Sequence, residues 1–150
     1  MTHEIDHIVC AVRSRPGGEK TVKRAIDLAL ETGARLTFFQ AVDAEFVRNV
    51  MDKRASLKAI YQELEGMAEF TMAILGNQAR LRGVEAVDHI VRRGDVREQL
   101  IELVAEVDPD MLVMGRPYPS PGPDRFREEE LNHFVAELEE KGKLRVVTVA

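Results

Sequence analysis

Three arginines stand out as groups able to do chemistry. Arg13 and Arg15 follow an apolar run, Ile8 to Val12, and Arg116 follows another, Met111 to Met114. A guanidinium presents a planar fork of N–H donors that grips carboxylate or phosphate bidentately, so arginines converging from two loops would make an anion site. Residues that free or shape the backbone lie beside them: Pro16, Gly17 and Gly18 after the first pair, Gly115 before Arg116, and Gly122 farther on. Arg125 and Arg127 extend the same basic segment. The competing reading pairs these arginines with the run Glu128, Glu129 and Glu130 and leaves them solvated, because exposed ion pairs are common and contribute little.

Other residue types carry less. His3 and His7, with Glu4 and Asp6 between them, would suit a metal only on a helix, and this segment leads into a strand; no metal is expected. His89 and His133 have no partner at ligand spacing. No Ser, Thr or Cys stands in a nucleophile-elbow context such as G-x-S-x-G, and no catalytic set is visible, so the chain reads as a non-enzyme. Cys10, inside the first apolar run, reads as a small buried hydrophobe. Asp108 and Asp110 flank Pro109 and read as a turn. Phe38, Phe39 and Phe126 read as core rather than as a platform for bases, and Met51, Met67 and Met72 as gap-filling core residues or, alternatively, an adaptable partner surface.

Composition narrows the partners. Twenty-one basic against 26 acidic side chains give a net charge of −5, which provides no general attraction to nucleic acid or to an anionic membrane. The single cysteine forms no internal bridge, and 150 residues suit one domain, residues 1–150. Acidic Glu4 and Asp6 stand where a signal peptide would be basic, and no run approaches the ~18 apolar residues of a membrane-spanning helix. A cytoplasmic location is expected.

The elements that must position these groups alternate. Ile8–Val12 is a short apolar run of the kind buried on both faces of a sheet, and Val22, Ala25, Ile26, Ala29 and Leu30 then form a helical stripe ending at Gly33. Leu36–Val42 predicts a second strand. A long helix, broken early, fits residues 44–82. A third strand spans Val84–Val91, interrupted by polar residues and so nearer a sheet edge, and a helix capped by Asp95 runs to about Val107. Met111–Met114 is the fourth strand. Pro117, Pro119, Pro121 and Pro123 come next, then a helix ending near Gly142 and a closing strand, Arg145–Ala150. This alternation predicts an α/β fold: an open, mainly parallel five-stranded sheet with helices on both faces. In such sheets ligands bind beyond the carboxyl ends of the strands, where the winding reverses. The segments to inspect are residues 13–18, Val42 with Asp43, and residues 115–125.

The order of elements, the stretch from Val91 to Pro117 (VRRGDVREQLIELVAEVDPDMLVMGRP) and the closing RVVTV strand resemble the universal stress protein family. The resemblance implies strand order 3-2-1-4-5, a regulatory or stress-responsive role and a dimer. It also implies that one branch binds ATP, through an Asp at the end of strand one and a G-x2-G-x9-G-[ST] run after strand four. Gly115 matches the first glycine; Tyr118, Glu128 and Glu129 occupy the later places, and Arg13 stands about where the Asp belongs. Proline lacks a backbone N–H, so the four alternate prolines remove donors from the loop that would cradle a triphosphate. Losing two or three charge-assisted hydrogen bonds, at about 1.5–3 kcal/mol each, weakens binding by a factor of about 10³ or more.

The expectation is therefore a non-enzymatic stress-response protein with no cofactor and an unidentified protein partner. The alternative is an adenine-nucleotide (ATP or AMP) or other anion-binding protein using Arg13, Arg15, Val42, Gly115, Arg116 and Gly122, with weak ATP hydrolysis or adenylate chemistry as a third reading. The closing strand, Arg145–Ala150, should lie at the sheet margin, where two copies would pair antiparallel as a homodimer.

Overall fold

The computed structural model describes residues 4–13, 18–51, 54, 56–116, 128–140 and 143–150. Its elements run β1 (His7–Ala11), α1 (Glu19–Thr32), β2 (Arg35–Val42), α2 (Ala44–Met51), α3 (Leu57–Arg82), β3 (Val87–Arg93), α4 (Val96–Val107), β4 (Met111–Gly115), α5 (Glu128–Glu140) and β5 (Arg145–Val149). The strands form one sheet in the order β3-β2-β1-β4-β5, with every pair parallel. This is the architecture expected, and β3 does lie at an edge.

Alternation along each strand divides the core in two. Ile8, Cys10, Leu36, Phe38, Met111 and Val113 pack under α1 and α3, with Val22, Ile26, Met72 and Ala79. Val9, Phe39, Leu112 and Met114 face α4 and α5 instead, against Leu100, Leu103, Leu131, Phe134 and Leu138. Because β1, β2 and β4 are apolar on both faces, a helical layer covers each side. Phe38 and Phe39 are core, on opposite faces of one strand.

Local chemistry sets the boundaries. The long segment after β2 divides where Ser56 caps α3, its hydroxyl accepting from the Ala59 N–H at 3.3 Å. Asp95 caps α4 as expected, accepting from the Glu98 N–H at 3.3 Å. The third strand starts later than Val84 and runs past Val91 to Arg93. Val84 is buried just after the helix cap, its N–H bonded to the Ala79 carbonyl, and so belongs to the turn rather than the ladder. Met72 is core, whereas Met67 is 65% exposed, which corrects its reading as a gap-filling core residue. No helix among the described residues is long and apolar enough to cross a membrane.

Candidate functional site

The winding reverses between β1 and β4. From β1 the chain moves outward to β2 and β3, then returns to β4 on the other flank, so the carboxyl ends of β1 and β4 open onto one crevice. Arg13 lies two residues beyond β1, and its Nη2 donates to the Gly115 carbonyl at the end of β4, 2.8 Å away. The guanidinium lies over the glycine. A Cβ built on Gly115 would stand 3.9 Å from Arg13 Cζ and Nε, and only 3.0 Å from the Thr21 hydroxyl of α1. Thr21 is buried. A side chain at Gly115 would therefore crowd the Thr21 hydroxyl, where the first turn of α1 closes on β4.

Arg116 takes another direction. Its N–H bonds the Val149 carbonyl at 2.8 Å, and its Nε donates to Thr148 Oγ1 at 3.2 Å, so it extends the pairing of β4 with β5. The expected convergence of Arg13 and Arg116 is thus corrected: one closes over Gly115 and the other reaches toward β5. Of the glutamate run, Glu130 pairs with Arg97 of α4 at 2.8 Å. Arg15, Gly122, Pro117 to Pro123, Tyr118, Arg125, Phe126 and Arg127 lie outside the described residues, as does His3.

Val42 is buried at the end of β2, and its carbonyl accepts from the Gly94 N–H at 2.9 Å. Gly94 has φ of +131°, and a Cβ there would meet Gln99 Nε2 at 2.9 Å, so this closure also depends on glycine. Two residues before Val42, Gln40 is buried, and its Oε1 has no hydrogen-bond partner among the described residues. Burial pushes the Cys10 thiol up to about 12, which fits a packing residue and not a nucleophile.

A second polar cluster sits at the opposite end of the sheet. The Asp110 carboxylate accepts from the Asp6 and His7 N–H groups at 2.8 and 3.0 Å and pairs with Lys143 at 3.2 Å. The reading of Asp108–Pro109–Asp110 as a turn holds, and it also joins the segments that open β1 and β5. The Thr37 hydroxyl donates to Asp88, so it accepts from His7 Nε2 at 2.7 Å, while Arg35 Nη2 donates toward His7 Nδ1 at 3.3 Å. Burial, followed by the Arg35 charge, lowers the His7 pKa below its usual 6.5 and keeps the ring neutral. His89 is bound to Glu69 at the surface, and no group of three or more possible metal ligands occurs among the described residues.

Sequence reasoning missed Thr21 and the His7–Thr37–Asp88 chain. The chain had a signal in the polar positions at the start of three apolar strands, which become neighbours only once register pairs Thr37 with Asp88. Thr21 had none, because its role comes from how closely α1 approaches β4.

The universal stress protein family model matches residues 4–126. Among solved structures, the universal stress protein UspA from Lactobacillus plantarum superposes with a TM-score of 0.76 at 14% identity, covering 99% of this chain and 100% of that one. A universal stress protein from Archaeoglobus fulgidus, solved in complex with dAMP, gives a TM-score of 0.60 at 16% identity over 97% of this chain and 98% of that one. Another universal stress protein, in complex with cAMP, gives 0.59 at 20% identity over 99% of this chain and 98% of that one. No curated protein sequence matches the chain. With the family model spanning most of its length and a sheet in the order β3-β2-β1-β4-β5, the chain belongs to the universal stress protein family.

Proposed function

We propose that this protein is a non-enzymatic, stress-linked regulatory module whose crevice between β1 and β4 does not take ATP in the manner of the nucleotide-binding branch. One observation carries the reading: the Arg13 guanidinium is bonded to the Gly115 carbonyl, over the glycine that begins the phosphate run. The Arg13 side chain occupies the approach to β4, and the prolines from Pro117 onward deprive the following tract of amide donors. The protein acts in the cytoplasm through a protein partner, without a cofactor, and forms a homodimer along the β5 edge, Arg145–Ala150.

A second reading keeps the crevice as a binding site for an adenine nucleotide or another anion. The neighbours solved with dAMP and cAMP favour it, as does Gln40 Oε1 near the carboxyl end of β2, which has no hydrogen-bond partner among the described residues. Arg13 would then swing from Gly115 to a phosphate, since only one of its several N–H donors goes to that carbonyl.

Titration calorimetry with ATP, AMP and cAMP separates the two. The main reading expects no saturable heat from any of them in the micromolar range, and no ADP or AMP formed from ATP on long incubation. Micromolar binding that Arg13→Ala abolishes would establish the second reading, and loss through Arg116→Ala as well would bring that arginine into the site.

A further inference from the structure

We propose that Glu139 of α5 gates self-association: its carboxylate caps an amide on the outer edge of β5, and a second copy pairs its own β5 there only when Glu139 turns away. The gate rests on the homodimer proposed along β5 and adds what controls it. In a parallel ladder the N–H and C=O of one residue reach the same neighbouring strand, and those of the next residue point the other way. The Arg145 N–H donates to the Asp110 carbonyl at 3.0 Å, and the Val149 carbonyl accepts from the Arg116 N–H at 2.8 Å. Arg145, Val147 and Val149 therefore bond β4. Val146 and Thr148 turn their backbone groups outward, and β5 stands last in the order β3-β2-β1-β4-β5.

One of those outward groups is already taken. Glu139 Oε1, on an exposed residue of α5, accepts from the Val146 N–H at 3.2 Å. The carboxylate stands there against the helix macrodipole, because the last turn of α5 carries Glu139 and Glu140 and no basic residue. The edge amide supplies the compensating donor. A charged side chain laid over an edge also keeps that edge from pairing with another strand. A second copy meets this obstacle directly. Antiparallel pairing about a twofold axis at Val147 sets Val146 of one copy opposite Thr148 of the other, so that the outward residues of the two β5 strands exchange N–H and C=O bonds. That exchange needs the Val146 N–H of each copy. Both Glu139 carboxylates must therefore release their amides before the sheets join.

Sedimentation equilibrium of the full chain tests the gate. Glu139→Ala should lower the dimer dissociation constant at least about tenfold, because each dimer then forms without breaking two capped bonds. Glu140→Ala removes the same charge one residue on and should leave the constant within about twofold of wild type. Thr148→Pro deletes an outward N–H, a change an edge strand tolerates, and should return Glu139→Ala protein to monomer. In dilute monomer, NMR should show the Val146 amide exchanging several-fold faster in Glu139→Ala than in wild type or Glu140→Ala. A dimer that Thr148→Pro breaks, with one constant for wild type and Glu139→Ala, would overturn the gate and leave the homodimer standing. Equal tightening by Glu139→Ala and Glu140→Ala, or unchanged Val146 exchange, would also overturn the gate alone. Monomers in every variant, or a dimer indifferent to Thr148→Pro, would overturn the homodimer along β5 and the gate with it.

Discussion

Arg13 places a cation two residues beyond β1, and its effect depends on the neighbour it meets. The guanidinium bonds the Gly115 carbonyl, and the Thr21 hydroxyl stands 3.0 Å from the place a Cβ on Gly115 would occupy. Gly115→Ala should therefore lower the unfolding free energy by about 1–3 kcal/mol, and Thr21→Ala in the same chain should recover much of that loss, because the two changes share one contact. Urea unfolding of both single variants and the double variant measures the coupling; strictly additive effects would place the strain elsewhere. At this scale the sequence was a partial guide. Arg13 and Gly115 were identifiable from loop position, but Arg116 was not distinguishable from Arg13, because only the pairing of β4 with β5 turns it toward Thr148.

Elements are held in place at the end of the sheet away from the crevice. Asp110 precedes β4 and satisfies the N–H groups of Asp6 and His7, so one carboxylate adds to the ladder that holds β1 against β4. Asp110→Ala leaves two amides without that acceptor and Lys143 without this partner, and should cost about 2–4 kcal/mol in urea unfolding. A cost within a few tenths of a kcal/mol would show that the carboxylate is dispensable. The His7 ring faces Arg35, Asp88, Asp110 and Lys143 and is neutral when folded. Its pKa is lower folded than unfolded, so the unfolded chain binds more protons as pH falls. The stability contributed by the neutral ring is complete above the ordinary value of 6.5 and is lost as pH drops through the lowered folded value. The urea midpoint should fall on acidification from neutral pH, and His7→Gln should flatten that slope; equal slopes would contradict the assignment. Strand positions were legible because short apolar runs bounded by Gly, Pro and Asp leave few alternatives. The start of β3 was not, since Val84 is as apolar as a strand residue but is buried by the turn after Gly83.

For the whole molecule, alternation of strands and helices required a parallel sheet, while the order β3-β2-β1-β4-β5 came from family likeness and not from periodicity. The exposure of Met67 and Phe70 was illegible, because a helical repeat shows that apolar residues share a face without showing which face meets the sheet. The order makes β1 and β4 neighbours at the point where the winding reverses, and so determines which loop residues share a crevice. The central proposal is that the crevice between β1 and β4, where Arg13 bonds the Gly115 carbonyl, does not take ATP. An amide NMR titration of the wild type with magnesium ATP tests it most directly. The account predicts that the amides of Gly18 to Thr21 and of Gly115 stay in place at millimolar nucleotide. Saturable shifts of those same amides at micromolar ATP would contradict it.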